Sequence, residues 1–200
     1  MQRPEPRKLL IGLAMLLVAC VSLAAEENTL RPGAGLYVKL PDGWVSLPKE
    51  SAEPKLQKPS SGPKPLMVLA KYDNSHSGFN PKIRVFYQAI PEDSRQLTPK
   101  KLLQLAIPKA DRASAQPKQE EEIREITISG LPAADASWLY TPASPTSPSG
   151  ANLLRARMVL VRQGDHFFTF GMVSPSEGPD DARPEFQQLL DTLAIKEVPK

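Results

Sequence analysis

From about residue 36 to residue 173 the chain repeatedly alternates apolar and polar positions with a period of two, the pattern of strands with one buried face. Leu36, Val38 and Leu40 alternate with Tyr37 and Lys39, and Pro41-Asp42-Gly43 then turns the chain into Trp44. Leu66 to Tyr72 is more uniformly apolar. Lys82 to Ala89 places Ile83, Val85 and Tyr87 on one face and Lys82, Arg84 and Gln88 on the other, around Phe86. Arg124, Ile126 and Ile128 alternate with Ile123, Glu125 and Thr127 before Gly130-Leu131-Pro132, and a further strand is read from Ala134 to Tyr140. Leu153 to Arg162 and His166 to Val173 flank Gln163-Gly164-Asp165, where glycine can take the positive φ of a tight hairpin turn.

The spacing changes to helical at two places. Thr98-Pro99 is a cap residue followed by proline in the first turn, and Leu102, Leu103, Leu105 and Ala106 give that segment an apolar stripe ended by Pro108. A second helix starts near Asp181 with Pro184 and Glu185 in its first turn, and Phe186, Leu189, Leu190 and Leu193 recur at helical spacing. Hairpin-scale connections between strands and two amphipathic helices predict an α+β fold, a mostly antiparallel sheet flanked by helices. Trp44 and Trp138 are expected to be packing residues, since their neighbours are apolar.

The order of these elements resembles the Mog1/PsbP-like proteins. Residues 36–44 look like that family's opening of strand, proline, turn and tryptophan. Ile128 to Ala134, the hairpin through Gly164 and a final helix running into Leu193-Ala194-Ile195 follow in the family's order. The resemblance covers about residues 35–196 and implies an antiparallel sheet sandwiched by helices, a fold often found in exported or lipid-anchored proteins. Its members serve as photosystem subunits, GTPase partners and envelope proteins, so the resemblance carries no activity and no functional residue across.

The N-terminus carries a different pattern. Arg3, Arg7 and Lys8 precede the unbroken apolar run Leu9 to Ala19, which reads as a signal peptide of residues 1–25. Leu17-Val18-Ala19-Cys20 also fits a lipobox, which would make the leader 1–19 and Cys20 a candidate lipidation site. Residues 26–200 are then one domain. It is interrupted by proline-rich inserts at 48–65 and 142–150, too poor in apolar residues to bury much surface. The expected destination is the periplasm, or an outer-membrane-anchored lipoprotein, of a bacterium.

Charge changes the picture once the leader is removed. Taking Arg3, Arg7, Lys8 and Glu5 from 25 basic and 22 acidic residues leaves 22 and 21, a net charge of +1. A nearly neutral domain lacks the basic surplus of phosphate-backbone binders, so nucleic acid is not an expected partner. Cys20 is the only cysteine, so no disulfide can form inside the domain.

Candidate chemistry is sparse. His76 and His166 are ninety residues apart, so no metal and no cofactor is expected. Asp73 to Gly78 has the look of a calcium loop, but Arg84 stands where its twelfth-position carboxylate is required. Ser46-Leu47-Pro48-Lys49 matches a serine–lysine motif without its helical context, and no nucleophile-elbow, P-loop or dinucleotide motif occurs. Arg155 and Arg157, at i and i+2, share one face of their strand and mark a candidate binding patch, extended by Arg84 if its strand lies near. The other face holds Leu154, Ala156, Met158 and Leu160, so the arginines are expected on a solvated side. The reading is a non-enzymatic binding or assembly module whose partner is an envelope protein or a small ligand, touching the membrane only through an anchor at Cys20. The alternative is a small hydrolase-like enzyme with a site near His166 and Asp165.

Overall fold

A computed structural model describes residues 29–48, 65–107, 118–141 and 153–196. The expected leader with Cys20, most of the first proline-rich insert and all of the second lie outside the described residues.

Among the described residues, alternation becomes eleven strands in two antiparallel sheets. In the large sheet the order is β3 (Val45–Leu47), β4 (Met67–Ala70), β5 (Lys82–Ala89), β10 (His166–Pro175), β9 (Leu154–Gln163), β8 (Leu131–Tyr140) and β6 (Lys118–Gln119), with β7 (Arg124–Ile128) also paired to β8. The small sheet pairs β2 (Leu36–Lys39) with β1 (Thr29–Gly33) on one side and β11 (Ala194–Ile195) on the other. Strands β9 and β10 form the expected hairpin, in register from His166–Gln163 to Pro175–Leu154, with Gly164 at φ +59° in the two-residue turn.

Each face of the large sheet has its own cover. Ile83, Val85, Phe168, Phe170, Val159 and Val161 point to one side and pack under helix α2 (Arg183–Asp191) and under Leu36 and Val38 of the small sheet. Phe168, Phe170, Phe186 and Leu189 are fully buried there. The opposite side carries Leu160, Ala134, Ala136 and Ile90, which pack under helix α1 (Pro99–Ala106).

Thr98 caps α1, its hydroxyl accepting from the Lys101 N–H at 3.3 Å, with Pro99 in the first turn as expected. The stripe differs from the expectation: Pro99, Leu102 and Leu103 are buried, whereas Leu105 is 69% exposed. At about 100° per residue, positions 99, 102 and 103 share a face that 105 leaves. Helix α2 starts at Arg183, two residues later than expected. No side chain caps it, and Asp181 instead accepts from the Arg183 N–H ahead of it. Trp44 is buried in the core under α2, and Trp138 is half-buried beside α1.

Truncating α2's anchor tests this assignment of covers. Phe186→Ala should cost about 3–5 kcal/mol in urea denaturation, while Leu105→Ala should stay within about 0.5 kcal/mol. Equal losses for the two would mean that the helix faces are misassigned.

Candidate functional site

Arg155 and Arg157 do share one face of β9, and the aromatic set that shares it is Phe168 and Phe170. That face is the covered one, however, so the expectation of a solvated side is corrected. Arg155 is 7% exposed. Its Nε and Nη2 donate to the two carboxylate oxygens of Glu120 at 2.8 Å each, and its Nη1 donates to the Ser176 carbonyl at 2.7 Å. Asp181 stands 3.5 Å away. Hydrogen bonds from Arg155 hold the Glu120 carboxyl below its ordinary value of 4.5.

Arg157 donates from Nε and Nη2 to both oxygens of Asp135 at 2.9 and 3.0 Å, and Arg124 donates to the same carboxylate at 2.7 Å. The Arg157 guanidinium also lies 5.3 Å from the Phe186 ring centre and donates to Gln187 on α2. Asp135 itself is 3% exposed. These arginines therefore brace the helix and the sheet edge to the central strands, and their donors are largely consumed by doing so.

Arg84 belongs to the other face. The register aligns it with Gly171 and then Met158, so its side chain points away from Arg155 and Arg157. On that second face Gly171 and Val173 floor an open cleft of about 360 Å³. Lys82 and Arg84, which share one face of β5, form one wall, and Tyr140, at the end of β8, forms another. Burial pushes the Tyr140 phenol up from its ordinary value.

Phe79 and Asn80 close a third side. Asn80 is fixed by the loop it ends: its Oδ1 accepts from the Tyr72 N–H at 3.0 Å and its Nδ2 donates to the Tyr72 carbonyl at 2.8 Å. That loop is tied in turn to the segment before α2 by Tyr72, whose hydroxyl donates to Asp180 at 2.5 Å. The floor exists because residue 171 has no side chain. A Cβ placed there would meet nothing within 4 Å, although the position is internal to a ten-residue strand. Glycine weakens a strand interior and often marks a place where something approaches the backbone closely.

Comparison with known proteins is informative about fold. The sequence matches no family model and no curated protein. Among solved structures, it is similar to cyanobacterial PsbP (CyanoP) from Synechocystis, with a TM-score of 0.53 and 13% identity over 82% of this chain and 88% of that one. It is also similar to LpqN of Mycobacterium tuberculosis, described as involved in cell envelope biogenesis, with a TM-score of 0.52 and 14% identity over 80% and 83% of the two chains. The fold is Mog1/PsbP-like. Structures of Mog1 are also among the matches. A Bacteroides thetaiotaomicron structure matches 85% of this chain at a TM-score of 0.47 and 13% identity, and there the chain spans about half, 48%, of the other's length.

Within the Mog1/PsbP-like fold of this chain, other sequence candidates fall elsewhere. His166 stacks on Tyr87, ring centres 4.9 Å apart, and Asp165 is exposed in the hairpin turn with its carbonyl accepting from the Ile90 N–H. Asp73 sits in an exposed turn, accepting from the Ser75 N–H. Among the described residues no three His, Cys, Asp or Glu side chains cluster to hold a metal. A second hollow of about 410 Å³ lies between α1 and the β6–β7 edge, lined by Lys100, Gln104, Glu122 and Ile123. Its charges are mixed in sign, and it has no glycine floor.

The bracing role of the arginines has a measurable consequence. Asp135→Ala leaves the largely buried Arg157 guanidinium without its carboxylate and should cost about 3–5 kcal/mol in urea denaturation. A loss below ~1 kcal/mol would show that the pair behaves as a surface ion pair.

Proposed function

We propose that this protein is a non-enzymatic binding or assembly module of the bacterial cell envelope, with the Gly171-floored cleft as its binding surface. The lining of the cleft carries the reading. Among the described residues its lining brings together two cationic side chains, two aromatic rings and an apolar floor, but no serine, cysteine, histidine or carboxylate. Such a set can hold and orient a ligand, whereas nucleophilic or acid–base chemistry needs a nucleophile and base within hydrogen-bond reach of each other. Of the arginines the sequence singled out, Arg84 is the one assigned to binding, and Arg155 and Arg157 are assigned to structure.

His166 supports the alternative poorly. It lies five residues along β10 from Gly171, about 17 Å at strand spacing, and its ring is stacked on Tyr87. Among the described residues no hydroxyl or carboxylate hydrogen-bonds to it.

The envelope assignment rests on the basic–apolar leader of residues 1–25 and the lipobox ending at Cys20, with a lipid there as the only membrane attachment. No helix among the described residues is long and apolar enough to cross a membrane. The likeness in fold to LpqN is consistent with this destination.

Expressed from its full sequence in a Gram-negative host, the protein should fractionate with periplasm or membranes. When purified, it should hydrolyse chromogenic esters, phosphoesters, glycosides and peptides no faster than buffer does. Retention in the cytosolic fraction, or turnover abolished by Gly171→Leu, would overturn the reading.

A further inference from the structure

The class of ligand can be narrowed, on the premise that the cleft is the binding surface. From its lining we infer that the site takes a small amphiphilic anion, one in which a sulfonate, phosphate or carboxylate adjoins a planar or aliphatic group. Lys82 and Arg84 stand two residues apart on one strand, so both cations project to the same side of the ligand. Arg84 already has a partner within the chain. A guanidinium carries five N–H donors and can serve more than one acceptor, but the Lys82 ammonium is the group on which charge selectivity depends.

The opposite wall is the Tyr140 ring, and Phe79 is held in place by the Asn80 brackets to Tyr72. Between them the floor is Gly171 and Val173, flat enough for a ring or chain to lie against the strand. Like-signed charge on one side and apolar surface on the other suit neither a bare inorganic ion nor a neutral hydrocarbon. The cleft volume of about 360 Å³ is that of a small-molecule site.

Two naphthalene dyes separate charge from shape: 8-anilinonaphthalene-1-sulfonate is anionic, and N-phenyl-1-naphthylamine is its neutral counterpart. Fluorescence titration should show one saturable site for the sulfonate. Gly171→Leu should weaken it at least about tenfold with a melting midpoint no lower than that of the unsubstituted protein, since a Cβ added there meets nothing within 4 Å and the rest of the side chain enters the cleft. Lys82→Gln should weaken the sulfonate about fivefold and leave the neutral dye within twofold.

Displacement by phenyl phosphate assigns a soluble anion, and displacement by phosphatidylglycerol vesicles but not phosphatidylcholine vesicles assigns a lipid headgroup. Failure of both to displace the dye overturns the inference. So does an unchanged sulfonate affinity in Gly171→Leu, or an equal loss of both dyes in Lys82→Gln, which would make the cleft merely apolar. Should Gly171→Leu lower the melting midpoint, the two-dye comparison in Lys82→Gln decides alone. Enzymatic turnover with the dye results intact would remove the non-enzymatic reading and keep the ligand class.

Discussion

A twisted sheet of this width needs cover on both faces, and among the described residues the two faces are covered unequally. Seven strands side by side at about 4.8 Å span roughly 30 Å, while an eight-residue helix such as α1 is about 12 Å long. On the side of α2 the deficit is made up by the small sheet, whose Leu36 and Val38 complete the core. On the side of α1, among the described residues, the helix reaches Leu160, Ala134 and Ala136 but not Gly171 and Val173. Among the described residues, the cleft is the part of that face which α1 does not reach. Small residues on the central strand turn the uncovered area into a depression.

The covered face solves a different problem, that of charge under a helix. Arg155 and Arg157 sit where the strand parity demands core, and each is neutralised by a carboxylate contributed from another element, Glu120 and Asp135. Together with Arg124, Arg183, Glu121 and Asp181 they make a set of four cations and four anions. Removing Glu120 or Asp135 strands Arg155 or Arg157 away from water, which costs more than the intact pair contributes relative to apolar replacements. The network therefore holds α2 in one place on the sheet, and α2 in turn fixes Asp180 and the loop that carries Phe79 and Asn80 to the cleft.

Local signals made much of this legible. Gln163-Gly164-Asp165 marks the hairpin because a two-residue turn requires positive φ, and Thr98-Pro99 marks the start of α1 because its cap and first-turn proline are local chemistry. Parity alone placed Arg155 and Arg157 together, but parity does not say which face is wet. In a central strand buried on both sides, Val159 and Val161 continue the arginine face just as Met158 and Leu160 continue the other. The available clue was Asp135, a lone carboxylate inside the alanine-rich run of β8. The cleft was less visible still. Lys82 and Arg84 read as a solvated face, and only the long-range pairing of β5 with β10 brings them beside Gly171. A glycine inside an otherwise apolar strand was the one mark it left in the sequence. The short strands β1, β6 and β11 have no period long enough to read.

Amide chemical shifts of the ¹⁵N-labelled protein, followed during titration with 8-anilinonaphthalene-1-sulfonate, test most directly whether the uncovered part of the sheet is the binding surface. Changes centred on Lys82, Arg84, Gly171 and Val173 are the predicted result. Changes centred on Lys100, Gln104 and Ile123, in the hollow beside α1, would contradict it.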